Sequence, residues 1–165
     1  MQSHPFDYLT LKSGARFIFT PCPGTKDTSV SEALETLKHA GATAIITILS
    51  SDEIEVLSVS SLGKEVTDKN IKWYQLPIED DCEPGEAFKE AWALSKDKLL
   101  VLLQNKETIA IHCRGGSGRT GLMAAILLLE TGESWEDVKR QIQSIRPKAL
   151  THPAHINYLK KHYSI

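Results

Sequence analysis

The run His112-Cys113-Arg114-Gly115-Gly116-Ser117-Gly118-Arg119-Thr120-Gly121 puts a nucleophile, a glycine-rich turn and an arginine in one short segment. An apolar, β-prone stretch (residues 108–111) precedes it and a helical pattern (residues 122–129) follows, so it reads as a strand-to-helix turn. Successive backbone N–H groups in such a turn point inward and form a nest for an anion. The first turn of the helix adds unpaired donors and the positive end of its dipole. Arg119 supplies a planar fork that can grip two phosphate oxygens at once. The segment therefore suits a phosphate dianion, held by Arg114, Gly115, Gly116, Ser117, Gly118 and Arg119, with the Cys113 sulfur at the floor. A free thiol titrates near ~8.5, and helix N-termini and neighbouring cations can lower this to about 3.5–7.5. The groups that bind the anion would thus also activate the sulfur as a thiolate nucleophile. Two other glycine-rich loops do not fit. A dinucleotide fold wants Gly-x-Gly-x-x-Gly near the first strand, and a Walker loop wants Gly-Lys-Ser/Thr where Gly118 is followed by Arg119.

The segment matches the signature loop of the cysteine-dependent protein phosphatases, His-Cys-x-x-Gly-x-Gly-Arg-Ser/Thr-Gly, at every specified position. The resemblance implies catalytic roles for Cys113 and Arg119. It also implies that Thr120 hydrogen-bonds the sulfur and eases its departure, and that His112 keeps the loop in shape. It requires no cofactor and no metal.

The elements that must hold this loop can be read from periodicity. Residues 15–19 form a short strand stopped by Pro21 and Pro23. Ser29 with Glu32 makes a capping box, and Val30, Ala33, Leu34 and Leu37 mark a helical face ending before Gly41. Residues 43–49 are a continuous apolar run, as expected of a strand buried on both faces. Residues 51–70 hold one or two short helices with Leu57 and Leu62 facing inward. Residues 71–78 return to strand character. A long amphipathic helix spans residues 86–105 through Phe88, Trp92, Leu99 and Leu102. A strand at residues 108–112 and a helix at residues 119–129 flank the loop. Ser134 with Asp137 opens a helix with Trp135, Val138, Ile142 and Ile145 on its inner face, and a last helix covers residues 154–163. Alternating strands and helices predict an α/β fold: a single domain over residues 1–165 with a mostly parallel sheet and helices on both faces, like that of the protein tyrosine phosphatases. Ligands in such sheets bind beyond the carboxyl ends of the strands, where Cys113 falls.

Composition narrows the remaining classes. The chain has 165 residues, a net charge of −2 and no large basic block, so nucleic acid binding has no electrostatic support. No apolar run approaches the ~20 residues needed to span a bilayer, and the polar start of the chain is not a signal peptide. Cys22, Cys82 and Cys113 form no disulfide framework or metal-ligand cluster, and a functional Cys113 needs a reducing compartment. A cytoplasmic monomer without stable membrane association, acting on a phosphorylated protein, is the expectation.

Displacing an alkoxide or phenoxide from phosphorus requires a proton for the leaving oxygen, which a positioned carboxylic acid can supply. The loop after residue 78 offers Glu79, Asp80, Asp81 and Glu83, and spacing alone does not choose among them. The stretch Pro77-Ile78-Glu79-Asp80-Asp81-Cys82-Glu83-Pro84 resembles the acid-bearing loop of the dual-specificity branch related to the cyclin-dependent-kinase-associated phosphatases. The match puts the general acid at Asp80, with Asp81 the alternate; that family usually has glycine where Asp81 stands. Residues 21–27, 149–151 and 157–159 resemble further segments of the same branch. Relatives often carry a glutamine where His155 stands, a residue that positions the hydrolytic water in many phosphatases; His155 itself reads as a surface histidine. Cys82 is a candidate to rescue an oxidised Cys113 as a disulfide. Arg114 leaves open a phosphoinositide substrate for the same chemistry. A phosphoprotein-binding module without turnover is the alternative from another class, which intact Cys113, Arg119 and Thr120 oppose.

Overall fold

The strand that leads into the glycine-rich loop is buried along its whole length, and the sheet is arranged around it. The computed structural model describes residues 3–165. In chain order the elements begin β1 (Asp7–Thr10), β2 (Arg16–Thr20), α1 (Val30–His39), β3 (Ala42–Thr47), α2 (Ser51–Val56) and α3 (Leu62–Asp68). They continue with β4 (Lys72–Gln75), α4 (Glu86–Gln104), β5 (Thr108–His112), α5 (Gly118–Glu130), α6 (Trp135–Ile145) and α7 (Pro153–Tyr163). The sheet order is β1-β2-β5-β3-β4, with β5 parallel to both β2 and β3.

This order decides where the helices go. The connections β2–α1–β3 and β3–α2–α3–β4 run one way across the sheet, whereas β4–α4–β5 runs back. Right-handed crossovers in opposite directions put their helices on opposite faces. Accordingly α1 packs on α3 and β3, while α4 packs on β5, and α5 on β5, α6 and α7. The expected α/β architecture with a mostly parallel sheet is what forms. The strand order reverses at β5, and its carboxyl end is therefore the crevice of the sheet.

Local chemistry explains most element boundaries. Ser29 accepts the Glu32 N–H at 3.0 Å and Ser134 accepts that of Asp137 at 3.2 Å, so both expected caps form. Ala33, Leu34 and Leu37 bury the inner face of α1, and Val138 and Ile142 that of α6. The third strand stops at Thr47 although Ile48 and Leu49 remain fully buried, and Thr43 is exposed at an irregularity between Ala42 and Ala44. The fourth is four residues long, not the whole of residues 71–78, since it pairs only with β3 at the sheet edge. Leu62 is buried as expected, but Leu57 is half-buried, and Ile54 and Val59 fill the core on either side of it. Strand β1 was not expected from the sequence. It pairs antiparallel with β2, and its pattern buries only Leu9, too little alternation to register as a strand.

Helix α5 is buried at every position from Arg119 to Leu128 and is the pillar behind the loop. It meets the turn before α7 at Gly121, where an added Cβ would lie 2.6 Å from the Ala149 Cβ. Gly121→Ala should therefore lower stability by about 1–2 kcal/mol even though alanine favours helices, because the overlap is with a rigid methyl. Urea unfolding checks this; a stabilised variant would refute the close packing.

Candidate active site

Cys113 follows β5 directly and is 4% exposed. Its Sγ accepts the Gly116 N–H at 3.3 Å and the Thr120 hydroxyl at 3.3 Å, so the turn and the first turn of α5 both aim donors at sulfur. The turn can wrap this tightly because Gly116 has φ +81° and sits against β2: a Cβ there would lie 2.6 Å from the carbonyl carbon and oxygen of Thr20. Ser117, at the N-cap of α5, makes no side-chain cap, which leaves the first-turn amides available to an anion. Arg114, Gly115 and Gly118 are exposed at the rim, Ser117 is half-buried and Gly116 is buried. The loop is braced from outside by Arg146, whose Nε donates to Gly116 O at 2.8 Å while Nη1 meets Asp7 at 2.8 Å. Nothing in the sequence pointed to Arg146; it reaches the loop from the end of α6.

Arg119 is 3% exposed. Nη1 donates to Glu53 Oε1 at 2.6 Å and to the Ile78 carbonyl at 2.9 Å, and Nη2 to Glu53 Oε2 at 3.2 Å. Burial alone would weaken the charged form, but the Glu53 carboxylate, with help from Cys113 and Asp80, more than reverses this and raises the pKa. Glu53 on α2 was also missed by sequence reasoning, since an acidic residue in the first turn of a short helix reads as a helix-dipole partner.

The acidic loop leaves the sheet after β4 and passes over this guanidinium. Asp80 is 70% exposed with Oδ1 3.7 Å from Arg119 Nε, whereas Asp81 Oδ1 lies 3.3 Å from His152 Nε2 at the N-cap of α7. Asp81 has φ +59°, the left-handed conformation that glycine adopts freely and aspartate tolerates. Glu83 is held by Lys161 at 3.2 Å, so α7 ties down this loop at two points. Cys82 is exposed on it.

His112 is fully buried, with Nδ1 3.0 Å from the Cys113 carbonyl oxygen and Nε2 2.7 Å from Thr47 Oγ1. Burial pushes its pKa down to about 4, so the ring is neutral near pH 7. His155 corrects the surface reading. It is 4% exposed, close to Gly118, and its Nε2 is buried without a partner among the described residues. Burial first, then the His152 and Arg119 charges, lowers it to about 4. His155 lies one turn before the buried Leu159 on α7, which packs on α5, a neighbour that spacing within α7 does not reveal. Cys22 is the remaining buried thiol: its N–H donates to Arg114 O at 3.0 Å, and burial, then Cys113 and Glu53, pushes it up to about 12.

A thiol cupped by amide and hydroxyl donors beneath a buried guanidinium, at the carboxyl end of a central parallel strand, defines a cysteine-dependent phosphatase site. The family comparison agrees. The model of the Swiss Army Knife protein, DSP-PTPase phosphatase domain, matches residues 24–161, and the chain belongs to that family. Protein tyrosine phosphatase type IVA 3 of Bos taurus is 28% identical over 153 residues, covering 89% of this chain and 78% of that protein. Cyclin-dependent kinase inhibitor 3 of Rattus norvegicus is 28% identical over 106 residues, covering 64% of this chain and 49% of that one. The crystal structure of kinase associated phosphatase, bearing a serine for its catalytic cysteine, superposes with a TM-score of 0.84 at 24% identity over 99% of this chain and 98% of that one. The resemblance to the dual-specificity branch thus holds: this is a protein tyrosine/dual-specificity phosphatase with the cysteine-dependent fold.

Two outcomes follow from the buried groups. Glu53→Ala leaves Arg119 without its carboxylate and should cost about 1–3 kcal/mol of stability, read from urea midpoints; an unchanged midpoint would show the pair to be dispensable. His112 and His155 have lowered pKa values of about 4 against an ordinary 6.5. Between those values the unfolded chain binds more protons than the folded one, so stability falls as pH drops from about 6.5 to 4. His155→Gln removes one of the two groups and should flatten that slope. An unaltered slope would mean that His155 is not held neutral.

Proposed function

We propose that residues 1–165 act as one catalytic domain that hydrolyses phosphomonoesters on phosphorylated proteins, phosphotyrosine as well as phosphoserine and phosphothreonine, through a phosphocysteine intermediate. The observation that carries the reading is the Cys113 sulfur receiving hydrogen bonds from Gly116 and Thr120 beside the buried Arg119. The amides of Arg114, Gly115, Gly116, Ser117 and Gly118 and the Arg119 guanidinium hold the three equatorial oxygens, where charge gathers in the transition state. Cys113 attacks in line. The S–P bond forms as the P–O bond to the substrate breaks, and Asp80 gives its proton to the departing oxygen. Asp80, now a carboxylate, takes a proton from water, and the resulting hydroxide displaces sulfur as inorganic phosphate forms. The Thr120 hydroxyl stabilises the departing thiolate, and His112 fixes the backbone at the nucleophile.

Asp80 is preferred to Asp81 as the acid because its carboxylate lies beside Arg119, while that of Asp81 is engaged by His152. The chemistry calls for no metal or cofactor, and a working thiolate calls for a reducing compartment such as the cytoplasm. A monomer suffices, since every group named comes from one chain. Among the described residues no helix is long and apolar enough to cross a membrane.

Hydrolysis of para-nitrophenyl phosphate in reductant and chelator tests the reading. Activity should survive chelator, vanish in Cys113→Ser and fall about 10²-fold or more in Asp80→Ala. Loss in Asp81→Ala but not Asp80→Ala would move the acid. Absence of turnover with retained phosphopeptide binding would replace catalysis by recognition. Phosphopeptides and phosphoinositides ranked in the same assay establish the substrate class.

A further inference from the structure

Behind the nucleophile runs a chain of polar groups whose far members, Thr47 and Trp73, have no part in the mechanism above. Trp73 on β4 donates its indole N–H to Thr47 Oγ1 at 2.7 Å, and Thr47 on β3 lies 2.7 Å from His112 Nε2. His112 Nδ1 in turn lies 3.0 Å from the Cys113 carbonyl oxygen. The sheet sets this up. Thr47 and His112 are register partners on adjacent parallel strands, and the Ile48 N–H closes the ladder on His112 O at 3.0 Å. Thr47 and His112 are 0% exposed, so neither can turn to water for a partner, while Trp73 is half-buried.

The direction of every hydrogen in the chain follows from chemistry. A carbonyl oxygen only accepts, so Nδ1 of the neutral imidazole must carry the proton. Nε2 is then a lone pair in an apolar interior and needs a donor. The only partner it has among the described residues is the Thr47 hydroxyl, which must therefore donate. With its hydrogen committed, Thr47 Oγ1 has its lone pairs free, and the Trp73 N–H occupies one of them. We propose that Thr47, supported by Trp73, is a positioning residue for catalysis: it fixes His112 in the Nδ1–H form and so anchors the Cys113 carbonyl at the base of the phosphate loop.

The consequence reaches sulfur through the backbone. With the Cys113 carbonyl held by Nδ1–H, the peptide plane after the nucleophile is fixed, and the following turn can direct the Gly116 N–H at Sγ. Donors arranged in series polarise one another, so the hydroxyl on Nε2 strengthens the bond from Nδ1. Neutral His112 is what the chain requires. A protonated ring would present an N–H to Thr47 and force its hydroxyl to find another acceptor, and burial opposes that charge in any case. The proposal rests on reading Cys113 as the nucleophile and His112 as its structural neighbour.

Thr47→Val keeps the β-branched shape and removes only the hydroxyl, while Thr47→Ser keeps the hydroxyl and serves as the conservative rescue. The valine variant should lose about tenfold in kcat/KM toward para-nitrophenyl phosphate, the worth of a buried group left without its donor. It should also alkylate more slowly at Cys113 with iodoacetate at mildly acidic pH, followed by peptide mass spectrometry. The serine variant should stay within about threefold of the native chain on both measures. Trp73→Phe, which removes the N–H at the far end, should move both measures in the same direction by less. Long-range ¹⁵N–¹H spectra of histidine-labelled protein should show the Nδ1–H form for His112. An Nε2–H ring would overturn the proposal, as would a valine variant with native kinetics and alkylation, or a serine variant as impaired as valine. A fall in activity matched only by a fall in melting temperature, with the alkylation rate unchanged, would reduce Thr47 to packing and also overturn it. Failure of the catalytic reading is distinguished by Cys113→Ser, which would then retain activity whatever happens at Thr47.

Discussion

The buried guanidinium of Arg119 is the group on which the remainder of the site depends. A charge that is 3% exposed cannot be left to the apolar interior and must be matched on the spot. Glu53 matches it in a two-pronged ion pair, and the Ile78 carbonyl takes a further N–H. These contacts bind together three parts of the chain that share no strand pairing: the start of α5, the first turn of α2 and the exit from β4. Since the acidic loop begins immediately after Ile78, fixing this carbonyl also fixes where Asp80 begins its path over the pocket. The positive charge that suits a phosphate is thus also the clamp that assembles the pocket.

Around that clamp the phosphate loop is defined by what surrounds it on each side. From below, Gly116 presses on Thr20 at a distance only glycine allows, and His112 holds the Cys113 carbonyl. From the side, Arg146 takes the Gly116 carbonyl. Above, the acidic loop is held to α7 by the pairs Asp81–His152 and Glu83–Lys161. Those exposed pairs are individually worth at most about 1 kcal/mol, so the lid is set lightly while the floor is set firmly. A rigid floor preorganises the donors for the transition state, and a lightly held lid lets substrate and product pass.

Cys22 and Cys113 show how position separates two thiols in one fold. Both are buried and they belong to adjacent parallel segments. Cys113 receives an N–H and a hydroxyl. Cys22, whose sulfur finds only the Pro23 carbonyl at 3.6 Å among the described residues, is pushed by burial up to about 12 and stays a neutral thiol. Both sulfurs are out of solvent, but Cys113 alone has the N–H and hydroxyl donors that suit a thiolate.

Much of this was legible in the sequence because it is carried by local rules. The glycine-rich turn between an apolar strand and an apolar helix, the two serine caps and the buried run of α5 each follow from residue types at fixed spacing, and they place Cys113 and Arg119 without any knowledge of the fold. The mostly parallel sheet was accessible as a class, through alternation, but its strand order was not, and neither was β1, since four residues with one buried side chain carry no periodic signal. What only the tertiary structure decided is the set of partners that arrive from elsewhere in the chain: Glu53 for the guanidinium, Arg146 for the loop carbonyl, Thr47 for His112. It also decided that His155 lies inside, and that Asp80 and not Asp81 stands beside Arg119. The division has a physical cause. A turn or a helix cap is satisfied by atoms a few residues away, so its chemistry is written locally. A buried charge or imidazole must be satisfied by whatever the topology brings next to it, and that neighbour bears no fixed spacing to it in the chain.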